Sequence, residues 1–361
     1  MRGMQPLIVR LLEALMCLLV LLLFLAIYLS KLTLPRWEPR VPEAPPCSVQ
    51  LVGGGAEDSA KDVDADVDPH GAKDVVLLLH GYAASPQTFP DTECVAPLLR
   101  EGRSVALPTY RRRTDGPRVS LARVVIHSLL AHLPRDALPV SVETMAADLV
   151  VLINERGWER VHVVGHSMGG MVAQALAIEI PDKIASLTTV GSCTGPGLGP
   201  CGPRPFQLMR DGVRVMCPKL WRRVGGVGGG TGGGPVEATA DKRRSERARS
   251  EWGQRQVAAI ITSRGRAGKL DALVRRGRLH APILAVSGDQ DTQVAPGSAA
   301  AAGRRITGCR SVVVGGMGHT PKNKEWTEVL RLAGLVGHPH SGTARPRTPN
   351  RRENPLGGTA P

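Results

Sequence analysis

The sequence predicts an α/β fold built as a doubly wound, mostly parallel β-sheet with helices on both faces. Three observations lead there. From Asp74 to Gly337, short apolar runs alternate with longer stretches of helical character, the rhythm of strand–helix–strand units that covers both faces of a parallel sheet. The runs are β-branched or leucine-rich throughout, as strands buried on both faces are. Finally, residues 160–174 read R-V-H-V-V-G-H-S-M-G-G-M-V-A-Q, a strand, a tight turn and a helix in immediate succession.

That last stretch carries the most chemistry. Val161 to Val164 are the strand, and Met168 to Ile178 an apolar, alanine-rich helix. Between them Gly165, His166, Ser167, Met168 and Gly169 spell G-x-S-x-G. A serine hydroxyl reaches a carbonyl only if it projects clear of the sheet toward a base. Ser167 therefore needs a sharply bent backbone, and glycines at 165 and 169 remove the Cβ atoms that would collide there. The helix after Ser167 points its free N–H groups and the positive end of its dipole at the place where an oxyanion would form.

Taken from the N-terminus, Leu7 to Leu34 is the membrane-grade segment, uncharged from Ala14 to Ser30. With Glu13 and Lys31 snorkelling it reaches the about 20 residues that cross a bilayer. It is longer than a signal-peptide apolar core and no A-x-A site follows it, so residues 1–34 are expected to be an uncleaved transmembrane anchor. The basic residues after the span (Lys31, Arg36, Arg40) outnumber those before it (Arg2, Arg10), which leans toward a cytoplasmic catalytic domain. Residues 35–73, proline-rich and then glycine-rich and acidic, are expected to be a disordered linker.

The core begins with D-V-V-L-L-L-H-G at 74–81, a strand ending in His80 and Gly81. An amphipathic stretch from Thr92 to Glu101 precedes a strand at Ser104–Leu107. Ser141 to Arg156 is a helix with Val142, Met145, Leu149, Leu152 and Ile153 on one face, stopped by Gly157. Strands at Ser186–Val190, Ile283–Val286 and Ser311–Val314 complete the series. The expected organisation is thus core at 74–193 and 282–337, a partly disordered Gly/Arg-rich cap insertion at 194–281, and a disordered tail at 338–361.

The formal charge of +14 is local. Arg204 to Arg278 holds 18 Lys and Arg against 6 Asp and Glu, which places the basicity in the insertion. No aromatic interleaving or recognisable module accompanies it, so no nucleic-acid partner is expected. Seven scattered cysteines without a C-x-x-C pair read as free thiols rather than a zinc site or a disulfide framework.

Ser167 needs a base, and the base an orienting carboxylate. Asp289 and Asp291 follow the strand Ile283–Val286, and His319 follows Ser311–Val314. Both loops lie at strand C-terminal ends, where doubly wound sheets gather their ligands. Residues 74–337 resemble the α/β-hydrolase fold family through His80-Gly81, G-H-S-M-G-G at 165–170, G-D-Q-D-T-Q-V-A-P at 288–296 and G-M-G-H at 316–319.

The resemblance implies that Ser167 is the nucleophile, Asp291 the acid and His319 the base, with Asp289 the alternative acid. It also implies an oxyanion hole from the backbone N–H groups of Tyr82 and Met168, with no cofactor and no metal. His80 and His166 are expected to be structural. A serine nucleophile sets the chain apart from the branches of the fold that use an aspartate. The resemblance therefore implies a serine esterase, similar to monoacylglycerol-lipase-like enzymes, acting on a small-molecule ester, lipophilic because of the anchor. Its basic cap would rest on anionic head groups. A lactonase, another acyl or C–C bond hydrolase of this fold, or a non-catalytic membrane-tethered binding protein are the alternatives. After the strand at 104–107 the family's usual loop is replaced by P-T-Y-R-R-R, which leaves the pocket entrance and substrate class open.

Overall fold

Each apolar run expected to be a strand between Asp74 and Gly337 is one, its N–H and C=O groups paired with neighbours as a backbone buried on both sides requires. The computed structural model describes residues 48–53, 74–110, 140–195, 252–253 and 255–337. In chain order the elements are β1 (Ser48–Val52), β2 (Val75–Leu79), α1 (Thr88–Asp91), α2 (Val95–Arg100), β3 (Ser104–Thr109), α3 (Val142–Glu155), β4 (Val161–His166), α4 (Met168–Glu179), β5 (Ile184–Val190), α5 (Ala267–Arg275), β6 (Ile283–Gly288), α6 (Ser298–Arg305), β7 (Arg310–Val314) and α7 (Asn323–Leu332).

The strands form one sheet in the order β1-β3-β2-β4-β5-β6-β7. All neighbours are parallel except β1 and β3. Strand β2 pairs with β3 on one side and β4 on the other, so the chain leaves β2 in one direction and β4 in the opposite one. The crevice between their C-terminal ends is the topological switch point, where such sheets bind ligands.

Side-chain alternation divides the core. Val75, Leu77, Leu79, Val161 and Val163 face α3, α4 and α5, among Met145, Leu149, Ile153, Val172, Leu176 and Leu270. Val76, Leu78 and Val164 face the other way, toward Leu98, Trp326, Val329 and Leu330. Burying one such side chain contributes about 1.5–3 kcal/mol. Helix α3 starts where Ser141 caps it. The Ser141 hydroxyl accepts from Thr144 N–H at 3.0 Å, and Thr144 Oγ1 accepts from Ser141 N–H at 2.8 Å. It stops before Gly157, whose φ of +65° suits a residue without Cβ.

Two expectations are corrected. Residues 48–52, assigned to a disordered linker, are strand β1, paired antiparallel with β3 from Ser48 opposite Thr109 to Val52 opposite Val105. The reason lies in S-V-Q-L-V itself: Val49 and Leu51 fall on one face and pack against the core, a two-residue period short enough to be masked by its Pro- and Gly-rich flanks. The end of the expected cap is also core. A helical run over 255–262 buries Val257, Ala259 and Ile260, and α5 buries Leu270, so this part of the chain is the packed crossover from β5 to β6. The anchor at 1–34, residues 196–251 of the insertion and the tail from 338 lie outside the described residues. Among the described residues no helix is long and apolar enough to cross a membrane.

Candidate active site

Ser167 is the hinge between β4 and α4, with φ 54° and ψ −119°. A non-glycine residue at positive φ is strained by about 1–3 kcal/mol, and the surroundings here enforce it. Its N–H donates to Val190 O at 2.8 Å, tying the turn to β5. A Cβ on Gly165 would strike the backbone of Gly169, and one on Gly169 would strike Leu79 and His80 oxygens. The turn closes only because those positions are bare.

The loops after β6 and β7 bring two more side chains to Ser167. His319 Nε2 lies 2.9 Å from Ser167 Oγ, and His319 Nδ1 lies 2.9 Å from Asp291 Oδ2. A buried carboxylate oxygen accepts, so Nδ1 carries the hydrogen and Nε2 offers its lone pair to the serine hydroxyl. The other Asp291 oxygen accepts from Gln293 N–H at 2.8 Å and Val294 N–H at 2.9 Å, which fixes the plane of the carboxylate. Asp289 has a different task. Its Oδ1 accepts from Gly316 N–H at 2.7 Å and so braces the turn that carries His319.

The loop after β2 closes the third side. A Cβ on Gly81 would be 3.1 Å from the Ser167 Cβ, so Tyr82 follows a residue in contact with the serine. Met168 is the first residue of α4, where a helix N–H has no intrahelical acceptor. The two N–H groups expected to form the oxyanion hole thus come from chain segments flanking Ser167.

Two histidines expected to be structural differ in what they hold. His80 Nδ1 is 3.0 Å from Gly81 O, its ring packs on Tyr110 at 4.5 Å, and burial pushes its pKa down to about 4. It shapes its own loop. His166 instead reaches across the site, with Nε2 2.8 Å from the backbone oxygen of His319. Sequence reading also missed Gln256, fully buried, whose Oε1 accepts from Ala83 N–H at 3.2 Å. Neither role has a sequence signal, since both act through the main chain of a distant segment. Behind the site Arg266, buried, donates to Gln174 Oε1 at 3.0 Å and Cys193 O at 3.2 Å, while its own N–H and that of Ala267 reach Thr194 O. Among the described residues no three His, Cys, Asp or Glu side chains gather in a metal-holding group.

A protein of Streptomyces peucetius named rhodomycin D methylesterase is 24% identical over 284 residues, covering 68% of this chain and 84% of that one. A Caulobacter segnis protein named as a carbamate hydrolase is 40% identical over 75 residues, but the match spans only 28% of its length. The mouse sn-1-specific diacylglycerol lipase is 30% identical over 141 residues, 39% of this chain and 38% of that one. Among solved structures, an esterase from Exiguobacterium antarcticum superposes with a TM-score of 0.52 at 17% identity, over 80% of this chain and 95% of that one. A hydrolase from Oleispira antarctica gives 0.51 at 14% identity, over 80% and 95%. The family model for the alpha/beta hydrolases matches residues 76–326, more than half of the 361, and the chain belongs to that family.

Proposed function

We propose that the chain is a serine hydrolase of carboxylic esters, with Ser167 as nucleophile, His319 as base and Asp291 as the carboxylate that orients it. The observation that carries this reading is the unbroken hydrogen-bond chain from Ser167 Oγ through His319 to Asp291, both links 2.9 Å long. His319 Nε2 takes the hydroxyl proton as Oγ attacks the ester carbonyl. The oxyanion is held by the N–H groups of Met168 and Tyr82, each such donor contributing about 10²–10³ in rate. The collapsing intermediate expels the alcohol, which receives the proton from His319. Water, deprotonated by the same nitrogen, then frees the acid from Oγ. The methylesterase and lipase names among the relatives support an ester.

The substrate of this reading is lipophilic and the enzyme is tethered to a membrane by residues 7–34. The uncharged run from Ala14 to Ser30 supports the tether, and the basic stretch from Arg204 to Arg249 supports a resting contact with anionic head groups, each cation worth about 1 kcal/mol. The test is fluorophosphonate labelling of the full-length protein and of Ser167→Ala in detergent, followed by an ester panel of graded acyl length. Labelling of the wild type alone is expected, with turnover rising along the panel. A label that survives the substitution removes Ser167 from the reaction.

A further inference from the structure

The proton relay leaves one buried imidazole of the site unused. His166 ends β4 beside the nucleophile and is 6% exposed. Its Nε2 lies 2.8 Å from the His319 carbonyl oxygen. A carbonyl only accepts, so Nε2 carries the hydrogen and the neutral ring keeps its lone pair on Nδ1. Burial, with a smaller contribution from nearby His319, lowers the pKa to about 4 and maintains that form near neutrality. The ring is held on several sides. Its centroid lies 5.1 Å from that of His319 and 6.1 Å from that of Trp326, and its Nδ1 faces Gly81, where an added Cβ would come within 3.3 Å.

The bond holds an irregular stretch of backbone. His319 lies in the connection between β7 and α7, after Gly316 at φ +75°, rather than in a strand or helix. Asp289 braces Gly316, and Gln290 N–H reaches Met317 O at 3.1 Å. Among the described residues no hydrogen bond other than that from His166 reaches the main chain of His319 itself.

We propose that His166 is a positioning residue for the hydrolase reaction, anchoring the His319 main chain through its Nε2–H so that the base stays over Ser167 as the proton moves. This inference rests on the reading of Ser167 and His319 as nucleophile and base. It explains why the donor is a neutral ring. During catalysis His319 becomes an imidazolium, and a cationic donor 5.1 Å away, centroid to centroid, would oppose that charge, whereas a neutral N–H leaves it undisturbed. It also uses the geometry of β4: the same strand end presents Ser167 Oγ and, one residue earlier, the hydrogen bond that locates its base, so the two move as one body.

The experiment compares His166→Ala, His166→Gln and His166→Phe with wild type in the full-length protein. Glutamine keeps an uncharged N–H at the same reach, and phenylalanine fills the volume without a donor. Displacing a reacting group by about 1 Å can cost on the order of 10²-fold, so kcat of the alanine and phenylalanine variants should fall about 10- to 100-fold with KM within about threefold of wild type. Fluorophosphonate inactivation should slow in parallel, and the glutamine variant should recover at least about tenfold of the loss. Should the alanine variant not fold, the glutamine and phenylalanine pair decides. Equal kcat in those two, or wild-type kcat in the phenylalanine variant, overturns the role. Labelling that persists in Ser167→Ala overturns the underlying hydrolase reading instead, and uses no His166 variant.

Discussion

At the scale of single residues, the two aspartates that follow β6 do different work. Asp291 shares its hydrogen bonds between His319 Nδ1 and two backbone N–H groups, whereas Asp289, among the described residues, accepts from Gly316 N–H alone. Replacing Asp291 by Asn keeps the shape but offers an amide where an acceptor is required. The histidine is then driven toward the wrong tautomer, and kcat should fall about 10⁴-fold with KM little changed. Asp289→Asn loosens only the turn and should cost about tenfold or less, in keeping with a second-order effect on position. Steady-state kinetics on one ester separates the two, and equal losses would mean the carboxylate roles are shared. The positions of Ser167, Asp291 and His319 were readable because each follows a strand in a short motif with its own spacing. The bonds made by His166 and Gln256 were not, because their partners lie 153 and 173 residues away and are backbone atoms, which any residue supplies.

At the scale of elements, the helical run over 255–262 is part of the site's frame. Gln256 enters from it with no exposed surface and accepts the Ala83 N–H, one residue beyond Tyr82, in a loop where Ala83 is held at φ +55°. The loop therefore depends on the crossover that returns the chain from 194 to β6. Arg266 fastens the same return by its contacts to Gln174, Cys193 and Thr194. Gln256→Leu preserves volume and removes the acceptor, so the loop should relax and, on the proposed reading of Tyr82 as an oxyanion donor, that N–H should lose its aim. The expected result is a kcat lowered about 10- to 100-fold against an almost unchanged KM, within the range of a lost oxyanion donor. Parallel kcat and KM measurements check it; a rise in KM alone would assign Gln256 to substrate binding. Sequence reading placed these residues in a cap because Gly- and Arg-rich composition extends to their doorstep. The signal of burial was there in V-A-A-I-I at 257–261, but an apolar run of five residues fits a lid as well as a core. Strand β1 was missed for the related reason that an edge strand needs only one apolar face.

At the scale of the whole molecule, the fold hides titratable rings that an unfolded chain would expose. Burial lowers both His80 and His166 from 6.5 to about 4. Between those values the unfolded chain takes up protons that the native state refuses, so stability rises with pH across the window. The contribution is fully present above about pH 6.5, is lost progressively as the pH falls to about 4, and changes no further below that. Each ring is worth up to about 3 kcal/mol by the linkage of about 1.36 kcal/mol per unit, less where the two repel each other once charged. Urea unfolding at a series of pH values should show the midpoint dropping steadily from about pH 7 to about pH 4.5. The His166→Gln variant should flatten that slope, because its amide does not titrate, while leaving the portion due to His80. A midpoint independent of pH in that interval would mean that both rings reach solvent in the folded protein. The same experiment separates stability from catalysis, since activity lost at a pH where the urea midpoint still lies far above zero denaturant is not lost through unfolding. A site assembled at a sheet's switch point from four separate loops is only as durable as the core beneath it, and these two neutral imidazoles make that durability a function of pH.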